Sequence, residues 1–447
     1  MNEAAYINLY SEFSQVIKEN SANVLNFGRD RAFEKFREAG FPAKNSEAYR
    51  YSNLSEKLSA EYGMNIRRLK FQVDRNDIFR CNIPLINEIS AFMINDNFYF
   101  PEYQKNKLQQ GVIFCSLSEA EKSCPSIVEK YLFRQSRKSD DGFAFFNSAF
   151  VQNGYFLYVK KDAKIEKPLQ LINLLHSETA LMTFTHNLIV IESGAVAKLL
   201  VCDHVIDRAA FFSSHITEIF VEEEAVFDYY ELEESSERTA RHSSLFVEQS
   251  AASKAVVNGI TLTNGVTRNN YRINLKGEKS ETILCGMAIQ DAEQQVDTFT
   301  DIIHSAPNCK SLELFKNVLD DNSSGAFSGR ILVAKGAEKT EAFQTNRNMC
   351  LTRKARMFSK PQLEIYADDV KCSHGMTTGQ IDEQALFYMQ SRGLSKNEAK
   401  TLLSIAFTSD VIEKVHLESL KDRLHYLVEK RFRGELVHCS GCEKLEL

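Results

Sequence analysis

Apolar residues near the start of the chain recur at helical steps. Tyr6, Leu9, Tyr10, Phe13, Val16 and Ile17 fall three and four positions apart, one stripe of an amphipathic helix. Ala32, Phe33, Phe36 and Ala39 mark a second helix, stopped by Gly40 and Pro42. The polar-aromatic stretch KNSEAYRYSNL, Lys44 to Leu54, follows without a clear period. The first hundred residues read as a helical region.

From about residue 150 to 370 the pattern shifts to short strand-like runs. One set is Asn187–Ile191, Ile216–Val221, Ser244–Val247, Asn270–Asn274 and Val296–Thr300. A second, interleaved set is Ala195–Val201, Ala225–Tyr230, Ala255–Leu262 and Thr282–Ala288. Members of the first set start 29, 28, 26 and 26 residues apart, a loose repeat of two strands each. Polar turns such as GEKSE and EESSER separate them, and no run has the length of a crossover helix. Stacked coils satisfy this pattern, each strand bonding to the coil above and below. An antiparallel sandwich satisfies it equally well.

The last 70 residues return to helical spacing. Leu386, Met389, Leu402, Leu403, Ala406 and Phe407 mark one or two helices, and Ser395 with Glu398 predicts a reciprocal capping box. Leu417, Leu420, Leu424, Leu427 and Val428 form one face of another. That face either docks on a separate protein or folds back on the strands.

Composition narrows the class. Lys+Arg 54 against Asp+Glu 60 gives a net charge of −6 over 447 residues, with no basic run, which argues against bulk nucleic-acid or anionic-membrane binding. With 31 Phe and 16 Tyr, and only 7 Pro and 19 Gly, disorder and low-complexity architectures are excluded. No basic region followed by an apolar run opens the chain, and no stretch nears the roughly 20 apolar residues of a membrane span. A cytoplasmic protein is expected. Its 10 cysteines then read as reduced and mostly buried, not as a disulfide frame. The histidines at 186, 204, 215 and 304 read as core or face residues of strands.

The chain has no phosphate-binding G-x-x-x-x-G-K-[ST] loop, no dinucleotide fingerprint, no G-x-S-x-G elbow and no H-E-x-x-H helix. Nucleotide hydrolysis, serine hydrolysis and zinc proteolysis are therefore not advertised. ADDVKCSHG, Ala367 to Gly375, stands out instead. If Val370–His374 is extended, Cys372 and His374 share a face, because strand side chains alternate. They could form two corners of a metal site or a Cys–His pair, but a zinc or iron–sulfur centre wants about four ligands. A buried cysteine beside a turn histidine is the plainer account. A second candidate is HCSGC, where Cys439 and Cys442 form a C-x-x-C beside His438; alone, such a knuckle captures metal adventitiously. Asp368 and Asp369 could add oxygen ligands, though paired acids at a strand end are more often solvated.

The segment PQLEIYADDVKCSHGMTTGQIDEQALFYMQSRGLSKNEAKTLLSIAF, Pro361 to Phe407, resembles the C-terminal signature of the SufD branch of the SufB/SufD family, scaffolds of iron–sulfur cluster assembly. The sister SufB branch carries a glutamate-rich E-H-E-A-type stretch where this chain has C-S-H-G. KNSEAYRYSNL is similar to the family's N-terminal K-x-x-E-x-W-[KR]-Y-[ST]-x-L, with Tyr49 where tryptophan is usual; this chain has no Trp.

The resemblance implies a mainly β fold, a right-handed parallel β-helix core flanked by N-terminal and C-terminal α-helical regions. Divided accordingly, the chain has a helical region at 1–100, a β-helix core at 101–375 and a C-terminal helical domain at 376–447. It further implies pairing with SufB through the core and docking of the ATPase SufC on the C-terminal helices, near Asp382–Phe407. ATP-driven SufC dimerisation would rearrange the scaffold interface, where a transient cluster forms. No permanently bound cofactor is expected. By motif match His374 is the implicated residue and Cys372 its neighbour, the site being completed by a partner chain; Asp368 or Asp369 could accept from the free ring nitrogen of His374. A homodimer is plausible when SufB is absent.

The function implied is a non-catalytic scaffold subunit. Two other classes compete with it. A stand-alone metal or redox protein would use Cys372, His374, Cys439 and Cys442, and would retain stoichiometric metal when purified alone. A carbohydrate-active β-helix would want tryptophan platforms and a secretion signal, and this sequence offers neither.

Overall fold

A computed structural model describes residues 3–43, 46–52, 54–58, 61–69, 80–81, 89–435 and 442–443. The N-terminal region carries helices α1 (Glu3–Glu19), α2 (Arg29–Ala39), α3 (Leu54–Lys57), α4 (Glu102–Lys105), α5 (Leu117–Ser123), α6 (Pro125–Tyr131) and α7 (Gly142–Phe150). Short strands lie among them: β1 (Gly63–Met64), β2 (Arg80–Cys81), β3 (Ser90–Ile94), β4 (Asn97–Tyr99) and β5 (Val112–Ser116). The predicted apolar spacing does build α1 and α2, and α2 ends at Gly40, whose φ of 65° suits a residue without Cβ. The strand pair β3–β4 differs from the helical reading of the first hundred residues. SAFMI alternates, placing Ala91 and Met93 in the solenoid core and Phe92 on the opposite face.

Beyond Phe150 the chain winds into a β-solenoid of about eight turns, two strands per turn. One sheet takes β6 (Tyr155–Val159), β8 (Leu181–Ile191), β10 (Phe211–Val221), β12 (Thr239–Gln249), β14 (Val266–Leu275), β16 (Gln295–His304), β18 (Ser324–Val333) and β20 (Arg356–Ile365). The other takes β7 (Leu169–Leu175), β9 (Val196–Val205), β11 (Val226–Glu234), β13 (Lys254–Thr263), β15 (Glu281–Gln290), β17 (Lys310–Leu319), β19 (Thr340–Cys350) and β21 (Val370–Gly379). The two interleaved strand sets read from the sequence are these two sheets. Every neighbouring pair in the stack is parallel and, but for one irregularity at Glu233–Glu234, in register, with Ile216 opposite both His186 and Ser244. Stacked coils, not a sandwich, account for the repeat.

The inner faces of the two sheets enclose one core, from Leu157, Ile189 and Val201 at one end to Phe315, Phe327 and Ile331 at the other. Glycines at 259 and 286 sit opposite each other in the stack. A Cβ on Gly259 would overlap the Tyr271 hydroxyl, and one on Gly286 the Phe315 ring, so these two positions make room for the large rings. The outer face of the first sheet is covered by the N-terminal helices: Phe36, Phe41, Phe143, Phe146 and Phe150 pack on Phe184 and Phe212. This layer uses much of the phenylalanine in the chain.

After β21 come α8 (Glu383–Ser391), α9 (Lys396–Ile412) and α10 (Glu418–Phe432), then the short β22 (Cys442–Glu443). The apolar face of α10, Leu420, Leu424, Leu427 and Val428, folds back on Leu200, Tyr230 and Met287 of the second sheet. Ser395 caps α9 by accepting from the Glu398 amide at 3.1 Å. The Glu398 carboxylate does not return the bond; it takes two from Arg433, each 3.1 Å, tying α9 to the end of α10. Among the described residues no helix is long and apolar enough to cross a membrane.

Candidate functional site at the open end of the solenoid

Among the described residues nothing caps the stack after its last turn. Strands β8, β10 and β12 are buried along their whole length, β19 alternates buried with exposed, and β21 is exposed at nearly every position. β20 and β21 end their sheets, each with a neighbour on one side only. A Cβ added at Gly375 or Gly379 would meet nothing within 4 Å, so this edge faces open space.

Alternation then sorts β21. Cys372 lies opposite Ala342, His374 opposite Gln344, and Thr378 opposite Asn348. Ala342, Gln344, Asn346 and Asn348 are the buried, inward residues of β19, so Cys372 and His374 share the inward side, at the mouth of the solenoid. Cys372 is half-buried against the core, and that burial raises its thiol pKa, favouring the thiol over a thiolate ligand. His374 is exposed. The structure brings these two residues together on one face as the C-x-H spacing predicts.

Below them the core changes character. In place of Val, Leu and Ile, the inner face of β19 offers three amides. Asn348 donates to Asn346 Oδ1 at 2.7 Å and to Thr378 Oγ1 at 3.2 Å, reaching up to the exposed strand. Ser359 of β20 donates to Asn346 Oδ1 at 2.6 Å, crossing between the sheets. Gln344 donates through Nε2 to Glu313 Oε2 at 2.7 Å. Glu313, wholly buried, has its carboxyl pushed up by desolvation to about 7. This polar floor was not singled out from the sequence. Its signal is Q-x-N-x-N at Gln344, Asn346 and Asn348, amides at strand period inside an otherwise apolar column.

The other candidates fall elsewhere. Asp368 and Asp369 are exposed on the turn before β21, and neither bonds to His374. Cys439 and His438 lie outside the described residues, and Cys442 enters only as backbone paired with Cys81. Among the described residues no group of three or more His, Cys, Asp or Glu is placed to hold a metal ion. Cys115, Cys124, Cys202, Cys285, Cys309, Cys350 and Cys372 are all unpaired in disulfides. The strand histidines are internal, as read: His186 pairs with Glu218 at 2.9 Å and His304 with Ser311 at 2.8 Å.

Apolar side chains gather around the same end. Ile365, Tyr366 and Met376 are exposed on or beside the two edge strands, and α8 presents Phe387 and Tyr388, 73% and 58% exposed. The N-terminal motif reaches this end too: Tyr51 stacks on Phe358 of β20 at 4.1 Å, and Glu47 pairs with Lys360.

Two family models match the chain, the SufBD protein N-terminal region over residues 1–171 and the SufBD core domain of the SUF iron–sulfur assembly system over 174–407. The chain belongs to the SufBD family. Among relatives, the iron–sulfur cluster assembly protein SufD of Escherichia coli is 30% identical over 401 residues, 88% of this chain and 90% of that one. SufD of Bacillus subtilis is 27% identical over 332 residues, 72% and 75% of the two chains. A SufBD family protein of Synechocystis is 26% identical over 400 residues, 87% of each. The solenoid mouth, with its C-S-H-G strand, thus belongs to a chain of the SUF iron–sulfur assembly system, within the matched core domain.

Proposed function

We propose that this SufBD-family chain is a non-catalytic, cytoplasmic scaffold subunit that pairs with SufB end to end and docks the ATPase SufC, so that a nascent cluster is built where the two solenoids meet. The observation that carries the reading is the open end: two unpaired sheet edges ringed by exposed apolar side chains, with Cys372 and His374 at its mouth. An exposed edge pair invites strand addition, and a second solenoid end supplies two edges at the matching spacing. Iron and sulfide are the cargo here. Two ligands from one chain leave the remaining positions to the partner.

α8 is the proposed SufC dock. It rests on α9 with none of its residues fully buried, and presents Phe387 and Tyr388 as aromatic anchors. ATP hydrolysis would then reside in SufC, which fits the absence of a phosphate-binding loop in this sequence.

Co-expression with SufB and SufC, followed by affinity purification and light scattering, tests the reading. A stable assembly of all three chains is expected, with a homodimer of this chain when SufB is left out. A chain that stays monomeric beside both partners and carries its own stoichiometric metal would replace this reading with that of a stand-alone metalloprotein.

A further inference from the structure

The floor of the solenoid mouth contains an acceptor without a donor. Gln344 is 1% exposed; its Nε2 is committed to Glu313, and its Oε1 has no hydrogen-bond partner among the described residues. A buried amide oxygen left unpaired is costly, and such atoms are rare in folded chains. Directly above it in register stands His374, whose ring makes no hydrogen bond among the described residues. Neighbouring strands lie about 4.8 Å apart, so same-face side chains at paired positions are within hydrogen-bonding reach.

Geometry fixes which way the amide faces. Oε1 and Nε2 branch from one carbon; with Nε2 turned down the column to Glu313, Oε1 points away from it. The amide lies against Gly329 of β18, where a Cβ would overlap Nε2, so the opposite sheet has been left open for this side chain to lie across. Glu313 is itself 0% exposed, with Thr300 as a second group that bonds its carboxyl beside Gln344. At the levels below, the same column holds Leu284 and Val257, so the polar pair is confined to the end nearest His374.

We propose that Gln344, oriented by Glu313, is the positioning residue of His374: its Oε1 accepts from one ring nitrogen, fixing the tautomer and presenting the other nitrogen, unprotonated, at the mouth. A histidine that binds metal through one nitrogen is commonly held in this way through the other. The inference rests on the scaffold reading for its purpose, but the hydrogen bond itself does not. It also replaces Asp368 and Asp369, exposed on the preceding turn, as the group that holds the ring.

The test is the nitrogen spectrum of His374 in the full-length chain labelled with 15N-histidine, at a pH where the ring is neutral, with His374→Asn to assign the signal. Wild type is expected to show one tautomer. Gln344→Leu, which keeps the volume and removes the acceptor, is expected to release the ring into a mixture of both tautomers. Gln344→Glu keeps an acceptor and is expected to restore the single form. In the assembly with SufB and SufC, Gln344→Leu is expected to lower cluster delivery at least tenfold without loss of any subunit.

The inference is overturned if the Leu variant, melting as wild type does, keeps the wild-type tautomer, or if wild type is already a mixture. The scaffold reading fails separately, if His374→Ala delivers clusters at the wild-type rate while the tautomer result stands.

Discussion

Glu313 is the residue whose environment makes the sharpest thermodynamic demand. Burial raises its carboxyl from 4.5 to about 7, so the folded chain holds a proton there that the unfolded chain has already lost. Below pH 4.5 both states are protonated and the group costs nothing. As pH rises toward 7 the unfolded state alone gains from ionisation, and stability falls by about 3 kcal/mol, remaining lower above that. Glu313→Gln cannot ionise and stays isosteric. Denaturant unfolding against pH is expected to show the variant gaining about 3 kcal/mol over wild type between pH 4.5 and 7, with a constant difference on either side. Equal pH profiles would place Glu313 in a wetter site. At this scale the sequence told part of the story. Cys372 and His374 were readable because alternation alone puts them on one face. Gln344 and Glu313 were not, since they come from strands 31 residues apart that only the register brings together.

The elements repeat themselves in a way composition hides. The turns that lead from β8, β10, β12, β14, β16 and β18 into the second sheet each hold a residue with left-handed φ at a corresponding place: Gly194, Glu224, Ala252, Lys279, Asn308 and Lys339. Each donates its amide to the corresponding turn above, as Ala252 does to Glu278 O at 2.8 Å and Asn308 to Glu338 O at 2.9 Å. A Cβ in that conformation costs roughly 1 kcal/mol. Ala252→Gly, at φ 54°, is therefore expected to stabilise the chain by up to about 1 kcal/mol and to raise its thermal midpoint. A neutral or lower midpoint would mean the flexibility given to the unfolded chain outweighs the relief. The turn GEKSE around Lys279 was legible, whereas those at Glu224 and Ala252 were not, because Glu and Ala carry no turn signal; the strands were legible from their spacing. The helices divide likewise. α10 was legible as an apolar face, and it packs on the solenoid, whereas α8 keeps its aromatic residues outside. Phe387→Ala with Tyr388→Ala is expected to weaken SufC capture at least tenfold at an unchanged thermal midpoint, measured by co-purification and calorimetry. Retained capture would move the dock elsewhere.

On the scale of the whole molecule the layers are helices, sheet, core, sheet, helices, built along an axis that stops abruptly. Long unpaired edges are an aggregation hazard unless a partner covers them, and Lys360, Pro361 and Lys371 on β20 and β21 are the residue types that discourage indiscriminate pairing. Met376→Asp, at an exposed position on β21, is expected to leave the fold and melting behaviour intact while abolishing association in light scattering. Association that survives it would place the interface on another face. The repeat of two strands was legible as stacked coils or a sandwich; parallel register through every turn decides between them. That the described residues leave the last turn uncovered was not singled out from the sequence; its signal is the Pro361 inside β20 and the polar run of β21.

The account turns on His374 acting at this open end, together with a partner chain. Its most direct test is cluster delivery to an apo-acceptor protein by the purified three-chain assembly, wild type against His374→Ala, with the subunit composition of each measured in parallel. The account predicts an intact assembly whose delivery is lost. An intact assembly that delivers as wild type does, or a variant that no longer assembles, would contradict it.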